Sequence, residues 1–188
     1  MRKLVDGMLL FHGSYCEISA PDLEKCAPYK DFGKGFYLTS SYEQAKNFIN
    51  TSLKKAKAQK LVNEAQAYGV VTTFQYSESD VTKIKNFNSA DSEWLHCIVA
   101  HRKNKTFPDI MEELKKYDII TGKIADDATN FTILAYIAGT YGDIGTAEAD
   151  NLCISRLLPE RLEDQYCFRT EKAIACLKYV ESEKICRS

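Results

Sequence analysis

The segment FHGSY at residues 11–15 and the segment DFGKGFYLTS at residues 31–40 decide how the rest of the chain is interpreted. The first follows the apolar run MLL, which predicts a short buried strand that ends near His12. The second has two glycines that predict a bent loop, followed by a strand that carries Tyr37. We therefore expect both polar rings at strand positions beside a cleft.

A helix is predicted directly after the second segment, over SSYEQAKNFINTSLKKAKAQK at residues 40–60. It begins with a capping box, in which Ser40 is the predicted N-cap and Glu43 follows three residues later. The apolar residues that recur at helical spacing are Ala45, Phe48, Ile49, Leu53 and Ala56.

The rest of the chain alternates between strand-like and helix-like segments. The further predicted strands are GVVTTFQYS, KYDIITG (ended by Gly122), EDQYCFRT and KYVES. The further predicted helices are SADSEWLHCIVAHRKN, an amphipathic DDATNFTILAYIAGTYG, EADNLCISRLL and a short EKAIACL capped by Thr170. No repeat or linker divides them, so we predict one α+β domain over residues 1–188, with its first and last strands as sheet neighbours.

Composition narrows the function class. Of the 188 residues, 25 are basic and 26 acidic, so no extended basic surface for nucleic acid is expected. The N-terminal apolar run is too short for a signal peptide or a membrane span, which predicts a cytoplasmic protein without a membrane partner. The seven cysteines form no C-x-x-C pair, so reduced thiols and no metal site are expected.

The first motif has the features of a ligand-binding strand end. Leu10 and His12 lie on one face of the predicted strand and Phe11 on the other. Gly13 lets a ligand approach the backbone closely, so that its N–H and C=O can bond an amide group. Ser14 adds a hydroxyl to the same place.

The second motif supplies the complementary surface. Gly33 and Gly35 permit tight backbone angles, and Tyr37 offers a flat aromatic ring on which a planar group can stack. Lys34 lies beside the loop, where a cation can meet a pyrophosphate. Together the two motifs suit a ligand that has an amide-bearing planar ring and a ribose.

These residues resemble a known family. LLFHGS followed by FGKGFYLTSSYEQAKNF is similar to the H-Y signature of ADP-ribosyltransferases of the diphtheria toxin and poly(ADP-ribose) polymerase type. The chain also resembles an uncharacterised bacterial family with HGS, DFGKGFY and a late Q-x-x-F-x-T, which is thought to include toxins of toxin–antitoxin pairs. The fold implied is an ADP-ribosyltransferase-like split mixed β-sheet core with flanking helices.

The resemblance implies a role for individual residues in binding NAD as co-substrate. His12 would bond a ribose hydroxyl, the Gly13 backbone would hold the nicotinamide carboxamide, and Tyr37 would stack on the nicotinamide ring. Phe48 stands eleven residues after Tyr37, where polymerase-type members have a second aromatic residue that covers the ring's other face.

The third signature position departs from the family. The strand that carries the family's catalytic glutamate matches EDQYCF, which puts Gln165 in the place of the glutamate. A neutral amide can orient the ribose, but it cannot stabilise an oxocarbenium-like transition state as a carboxylate does. Glu163 falls on the same strand face by the period of two and is a second candidate, as that carboxylate, while Asp164 points away.

Without the glutamate, transfer of a single ADP-ribose unit or hydrolysis of NAD is expected rather than chain elongation. The acceptor stays open between protein, nucleic acid and small molecule, and a small antitoxin is an implied partner. The alternative is a non-catalytic module, a pseudoenzyme that binds NAD or ADP-ribose.

Each of these residues also has a structural explanation. A histidine at a strand end is more often a satisfied structural residue, and Tyr37 or Phe48 alone would more often pack in the core. The two other histidines, His96 and His101, are predicted to be surface or partly buried residues of one helix, and Trp94 is expected to anchor the core.

Overall fold

One mixed sheet of seven strands runs through the computed structural model, which describes residues 1–103, 106–125, 127–158, 160 and 162–186, the side chains of 127 and 128 excepted. The strands are β1 (Leu9–Ser14), β2 (Phe36–Thr39), β3 (Tyr68–Tyr76), β4 (Ile84–Asn86), β5 (Ile119–Lys123), β6 (Asp164–Phe168) and β7 (Leu177–Cys186). Six α-helices lie in the same residues: α1 (Tyr42–Ala58), α2 (Ser92–Arg102), α3 (Pro108–Leu114), α4 (Asp127–Ile137), α5 (Ala147–Leu157) and α6 (Glu171–Ile174). The fold is therefore α+β.

The strand order is β4-β5-β6-β2-β1-β3-β7, and only the β4–β5 pair is parallel. The prediction that the first and last strands are neighbours is wrong, because β3 lies between β1 and β7 and pairs with both along its length. β7 is an edge strand, and most of its side chains are exposed.

The predicted helix after the second motif is confirmed as α1, but its N-cap is Ser41 rather than Ser40. The Ser41 hydroxyl accepts a hydrogen bond from the backbone N–H of Gln44, and the Thr39 hydroxyl accepts one from the N–H of Ser41. The buried residues follow helical spacing and are Ala45, Ile49, Leu53 and Ala56.

Three of the other helices have short polar N-caps, whereas α3 begins at Pro108 without a side-chain cap. Asp91 caps α2, Thr146 caps α5, and Thr170 caps α6 as predicted. The amphipathic pattern predicted for α4 is not found, because large apolar side chains lie on both its exposed and its buried side. Phe131 is 79% exposed, whereas Ile133 and Tyr136 are fully buried.

Two layers of side chains cover the two faces of the sheet. On the face that we call the helical face, Phe11 packs edge-to-face on Tyr42 of α1, and Tyr37 and Cys167 belong to the core formed with α2, α4 and α5. The other face, which we call the Phe36 face, carries a second apolar cluster that includes Leu10 and Phe36. Trp94 is fully buried in the core under the helical face, as expected.

None of the helices within the described residues is both long and apolar enough to span a membrane. The seven cysteines carry no disulfide.

Candidate functional site

The three strands that carry the sequence motifs lie side by side at the centre of the sheet, in the order β6-β2-β1. β2 and β6 are paired over four positions, which place Tyr37 opposite Cys167 and Thr39 opposite Gln165. Residues opposite each other share a face, so Tyr37 and Gln165 lie on the helical face as diagonal neighbours.

The pairing of β1 with β2 is much shorter than its pairing with β3. Both strands lie wholly in the described residues, and their register is the single pair Phe11↔Thr39, whereas β1 pairs with β3 over six positions. Continuing that register would place Gly13 opposite Tyr37, at a point where the two strands no longer pair. We call this gap the β1–β2 split.

His12 bridges the split from the Phe36 face. Its imidazole ring lies 4.5 Å from the Phe36 ring, centroid to centroid, and its Nδ1 lies 2.8 Å from the carbonyl oxygen of Tyr37. The three signature side chains therefore do not project from one face: His12 lies on the opposite face from Tyr37 and Gln165, and it reaches their strands through the backbone of β2.

The contact with β2 sets the tautomer of the His12 ring. A carbonyl oxygen can only accept a hydrogen bond, so Nδ1 of His12 donates and Nε2 of the neutral ring has a lone pair. Burial lowers the pKa of His12 from its usual value, although the bond to the Tyr37 carbonyl acts in the opposite direction. The neutral ring with Nε2 as acceptor is thus the favoured form at neutral pH.

Gly13 is a glycine because α1 passes directly over it. A Cβ atom at this position would lie 1.8 Å from the carbonyl oxygen of Ala45, which is far inside contact distance. The close approach predicted from the sequence is therefore made, on this side of the strand, by the protein's own helix.

The glycine loop before β2 is fixed by close packing on both of its glycines. Gly33 has φ +82°, and a Cβ there would lie 2.7 Å from Cδ2 of His101. A Cβ on Gly35 would lie 2.5 Å from Sγ of Cys167. Both glycines therefore serve the packing of the loop on α2 and β6.

Tyr37 braces the same loop with its hydroxyl. The hydroxyl donates to the carbonyl oxygen of Gly33 at 2.8 Å and accepts from the backbone N–H of Phe32 at 2.9 Å. Burial raises the pKa of Tyr37 well above its usual value, which keeps the phenol protonated and able to donate. The ring is partly buried and packs against the core under the helical face.

A buried carboxylate that the sequence interpretation missed lies behind this loop. Asp31 accepts from Nε and Nη2 of Arg102 with one oxygen, and from the backbone N–H of Ala125 and Nε2 of Gln165 with the other. Arg102 also donates to Asn130 Oδ1 at 2.9 Å. Asp31 lies within the DFGKGFY motif, but no spacing in the sequence links it to residues 71 and 134 positions away.

Gln165 is 4% exposed and its amide is anchored at its nitrogen. Nε2 donates to Asp31 Oδ2 at 2.9 Å and to the carbonyl oxygen of Lys123 at 3.1 Å. The neighbouring Asp164 accepts from the backbone N–H of Arg2, and Arg2 in turn accepts from the Tyr166 hydroxyl on the Phe36 face. Asp164 thus points away from Gln165, as predicted.

His101 also differs from its prediction, since it is 5% exposed and not a surface residue. Its Nδ1 lies 2.9 Å from the carbonyl oxygen of Cys97, while Nε2 is buried with no hydrogen-bond partner in the described residues. Burial lowers the pKa of His101 from its usual value, so the ring stays neutral behind Gly33.

The remaining predicted residues lie around this centre. Ser14 is buried at the end of β1, and Lys34 forms an exposed ion pair with Glu24 at 3.3 Å. Phe48 is 42% exposed on α1. Glu163 precedes β6 with an exposed side chain, and its carbonyl oxygen accepts from the N–H of Ile124.

Two surface grooves lie outside the three signature side chains. One of about 430 Å³ adjoins the paired ends of β1 and β2, with Phe11 and Ser40 in its wall. Another of about 360 Å³ is lined by Tyr15, Tyr68 and Lys184 among others. The β1–β2 split is separate from both, because the His12 side chain that bridges it lines neither groove.

Comparison with known proteins identifies a family whose function is unknown. Residues 8–179 match the model of the family described as "Protein of unknown function (DUF3990)". No curated protein matches the chain significantly.

Proposed function

We propose that this chain, which belongs to the DUF3990 family, is an NAD-dependent ADP-ribosyltransferase that transfers a single ADP-ribose unit. The observation that carries the proposal is the adjacency of β6, β2 and β1, which brings the strands of Gln165, Tyr37 and His12 together beside the β1–β2 split. The motif resemblance supplies the reaction, and the split supplies a place for the nicotinamide.

The split offers the backbone groups that a carboxamide needs. In an antiparallel strand, alternate residues direct their N–H and C=O groups to the same side, so Gly13 directs both as Phe11 does. Beyond the Phe11↔Thr39 pair, β2 does not pair with these groups. One donor and one acceptor side by side match the carbonyl and the amide N–H of nicotinamide.

His12 is suited to contact the ribose. With Nδ1 committed to the Tyr37 carbonyl, Nε2 is the atom that can accept a hydrogen bond from a ribose hydroxyl. Tyr37 and Phe48 are the proposed aromatic contacts of the nicotinamide ring, and exposed Phe48 can move onto a ligand at little cost in core packing. Lys34 can exchange its exposed partner Glu24 for the pyrophosphate.

The reaction breaks the bond between the nicotinamide nitrogen and the ribose, and the acceptor's nucleophile bonds to the same ribose carbon while its proton leaves to solvent. Positive charge develops on the sugar in the transition state, so nearby oxygen acceptors stabilise it. Gln165 is the proposed orienting group, and exposed Glu163 is the proposed carboxylate, reachable by a ligand because its side chain faces solvent.

A second function, binding of NAD or ADP-ribose without turnover, is favoured by one observation. At the position that matches the catalytic glutamate of ADP-ribosyltransferases, this chain has Gln165, a neutral amide whose nitrogen bonds Asp31 and the Lys123 carbonyl. The acceptor in the first case, whether protein, nucleic acid or small molecule, and an antitoxin partner are proposals that rest on the resemblance alone.

The deciding experiment measures nicotinamide release from NAD by purified protein, with chromatography as the readout. We expect release by wild type, and a loss of about tenfold or more in kcat/KM for His12→Ala, since one hydrogen bond to the transition state is worth roughly 1.5 kcal/mol or more. His96→Gln is the matched control, because His96 pairs with Asp150 and stacks on Phe107 away from the split.

Calorimetric titration with NAD separates the two functions. Binding by wild type that His12→Ala weakens, without any nicotinamide release, would favour the binding module over the enzyme. If the purified protein is shown to be folded but neither releases nicotinamide nor binds NAD, the proposed NAD site is overturned.

A further inference from the structure

The orientation of the Gln165 amide is fixed by the nature of its partners. The nitrogen and oxygen ends of a glutamine amide are often interchangeable, but here one neighbour is a carboxylate oxygen of Asp31 and the other is the carbonyl oxygen of Lys123. Both neighbours only accept, so the NH₂ end must face them. In the described part of the chain, no residue donates to the carbonyl oxygen Oε1.

Asp31 is itself held rigidly. One of its oxygens accepts two bonds from Arg102, at 3.1 and 2.6 Å, and the other accepts the Ala125 N–H at 3.0 Å besides the Gln165 amide. Its side chain is 10% exposed and that of Arg102 is 16% exposed. A carboxylate with this many buried donors cannot rotate away without leaving charges unpaired.

We propose that Asp31 is a positioning residue, which fixes the Gln165 amide so that Oε1 is the atom offered to the ribose of the ligand. This inference rests on the proposed function and deepens it. Gln165 is then a working part of the site. The amide dipole presents a partial negative charge to the sugar at Oε1, and the negative charge of Asp31 lies behind the amide nitrogen.

Introducing the glutamate of ADP-ribosyltransferases at position 165 should therefore lower activity at neutral pH rather than raise it. In Gln165→Glu, an ionised carboxylate would face the Asp31 carboxylate and the Lys123 carbonyl, with no proton to donate to either. A protonated glutamic acid, by contrast, donates its O–H to Asp31 and keeps its C=O toward the ligand, as glutamine does. Neighbouring negative charge favours that protonated form.

Other charged and titratable groups lie around this position, and one pair of them lies on the opposite face of the sheet. Arg102 from α2 neutralises part of the charge on Asp31, His101 lies nearby in its neutral form, and the Lys123 ammonium is paired with Asp164 at 2.9 Å. These groups are the same in wild type and variant, so a pH profile that only the variant shows reports on the introduced acid.

The test compares the kcat/KM of nicotinamide release between about pH 5.5 and pH 8, a range that spans the usual and raised values of a glutamic acid. We expect Gln165→Glu to be at least about tenfold below wild type at the upper end and to recover most of that loss at the lower end. Gln59→Glu on the surface is the matched control and should follow wild type.

A double variant identifies the partner. In Gln165→Glu combined with Asp31→Asn, the introduced acid no longer faces a carboxylate, so its recovery in acid should disappear. A kcat/KM of Gln165→Glu that equals or exceeds that of wild type at the upper end of the pH range would overturn the inference. A loss in kcat/KM that is the same at every pH would overturn it too.

A readout without turnover separates failure of this inference from failure of the proposed function. In nitrogen–proton NMR spectra, the Gln165 side-chain NH₂ should exchange with solvent at least about tenfold faster in Asp31→Asn than in wild type. The oxygen of the introduced amide stays with the two Arg102 donors, so its NH₂ group faces that of Gln165 and one of the two bonds is lost. If wild type releases no nicotinamide, the enzyme proposal fails while this exchange rate still decides whether Asp31 holds the amide. An unchanged rate would overturn the positioning role.

Discussion

Arg102 holds Asp31 through two nitrogens that donate to the same carboxylate oxygen, Nε at 3.1 Å and Nη2 at 2.6 Å. The contact joins the last residue of α2 to the glycine loop before β2. Since Asp31 also bonds Gln165, a single ion pair connects a helix, the second motif and the third motif strand.

Replacing Arg102 by methionine should destabilise the protein by about 3–5 kcal/mol, because Asp31 would remain buried without its counter-ion. Chemical denaturation in urea measures the loss. Combining Arg102→Met with Asp31→Asn removes the unpaired charge, so the double variant should be more stable than Arg102→Met alone. A double variant that is less stable than wild type by the full sum of the two single losses would contradict this account.

Tyr37→Phe removes a hydroxyl that makes two hydrogen bonds to the glycine loop but keeps the aromatic ring. We expect a loss of about 1–3 kcal/mol in the free energy of unfolding, since the N–H of Phe32 and the carbonyl of Gly33 both lose a partner. NAD affinity, measured by calorimetry, should change much less if the ring is the part that meets the ligand.

Tyr29→Phe is the control for this loss. Tyr29 is 63% exposed, and its variant should stay within about 0.5 kcal/mol of wild type. Equal losses in the two variants would show that the Tyr37 hydroxyl does not brace the loop.

Gly13→Ala should prevent α1 from packing on β1, because the new Cβ would lie 1.8 Å from the Ala45 carbonyl oxygen. We expect a loss of about 3 kcal/mol or more, or failure to fold, as measured by circular dichroism and urea denaturation. Gly7→Ala, whose nearest neighbour is 3.9 Å away, should cost only about 1–2 kcal/mol for its positive φ. A well-folded Gly13→Ala protein with unchanged stability would be incompatible with this packing.

Stability should fall in mild acid because of His12 and His101. Burial lowers the pKa of both histidines, so the unfolded chain binds these protons more readily than the folded protein. The free energy of unfolding therefore rises with pH through this window and is lost as the pH falls below about 6.5.

The melting temperature between about pH 5 and 7.5 measures this effect. His101→Gln should make the melting temperature less dependent on pH. Its change across this range should shrink by roughly 2–4 °C for each 1 kcal/mol of pH-dependent unfolding free energy that His101 contributes. His96→Gln serves as the comparison in a different part of α2. A wild-type melting temperature that is flat across this range would refute the assignment.

Glu163→Gln should leave the melting temperature unchanged, because the side chain is exposed just before β6. If Glu163 is the carboxylate that stabilises positive charge on the ribose, its loss should lower kcat by about tenfold or more with little change in KM. Nicotinamide release at saturating NAD measures this. An unchanged kcat would remove Glu163 from the proposed site and leave Gln165 as the sole contact from that strand.

Local sequence patterns were sufficient for the elements that carry the motifs. Each of these patterns lies within a short stretch of sequence: the apolar run before His12, the glycines before Tyr37 and the helical spacing of α1. The cap of α6 by Thr170 is of the same local kind. The position of Ser41 rather than Ser40 as N-cap shows the usual uncertainty of one residue at a helix end.

The network behind the glycine loop was beyond reach of these patterns. Asp31 meets Arg102 and Gln165 only because β6 is placed next to β2, and no periodicity encodes that order. His101 was misjudged because α2 is buried over most of its surface, so its sequence has no polar face to mark the exposed side. β4 has only three residues, too few for an alternating pattern.

The strand order also fixes when the site can assemble during synthesis on the ribosome. β1 and β2 lie within the first 39 residues, but their neighbour β6 spans Asp164–Phe168. The nascent chain therefore carries His12 and Tyr37 without Gln165 until β6 has left the exit tunnel, and such long-range strand pairing is slow to form. Pairing of the three motif strands is in this way deferred until the strand that carries Gln165 has been made.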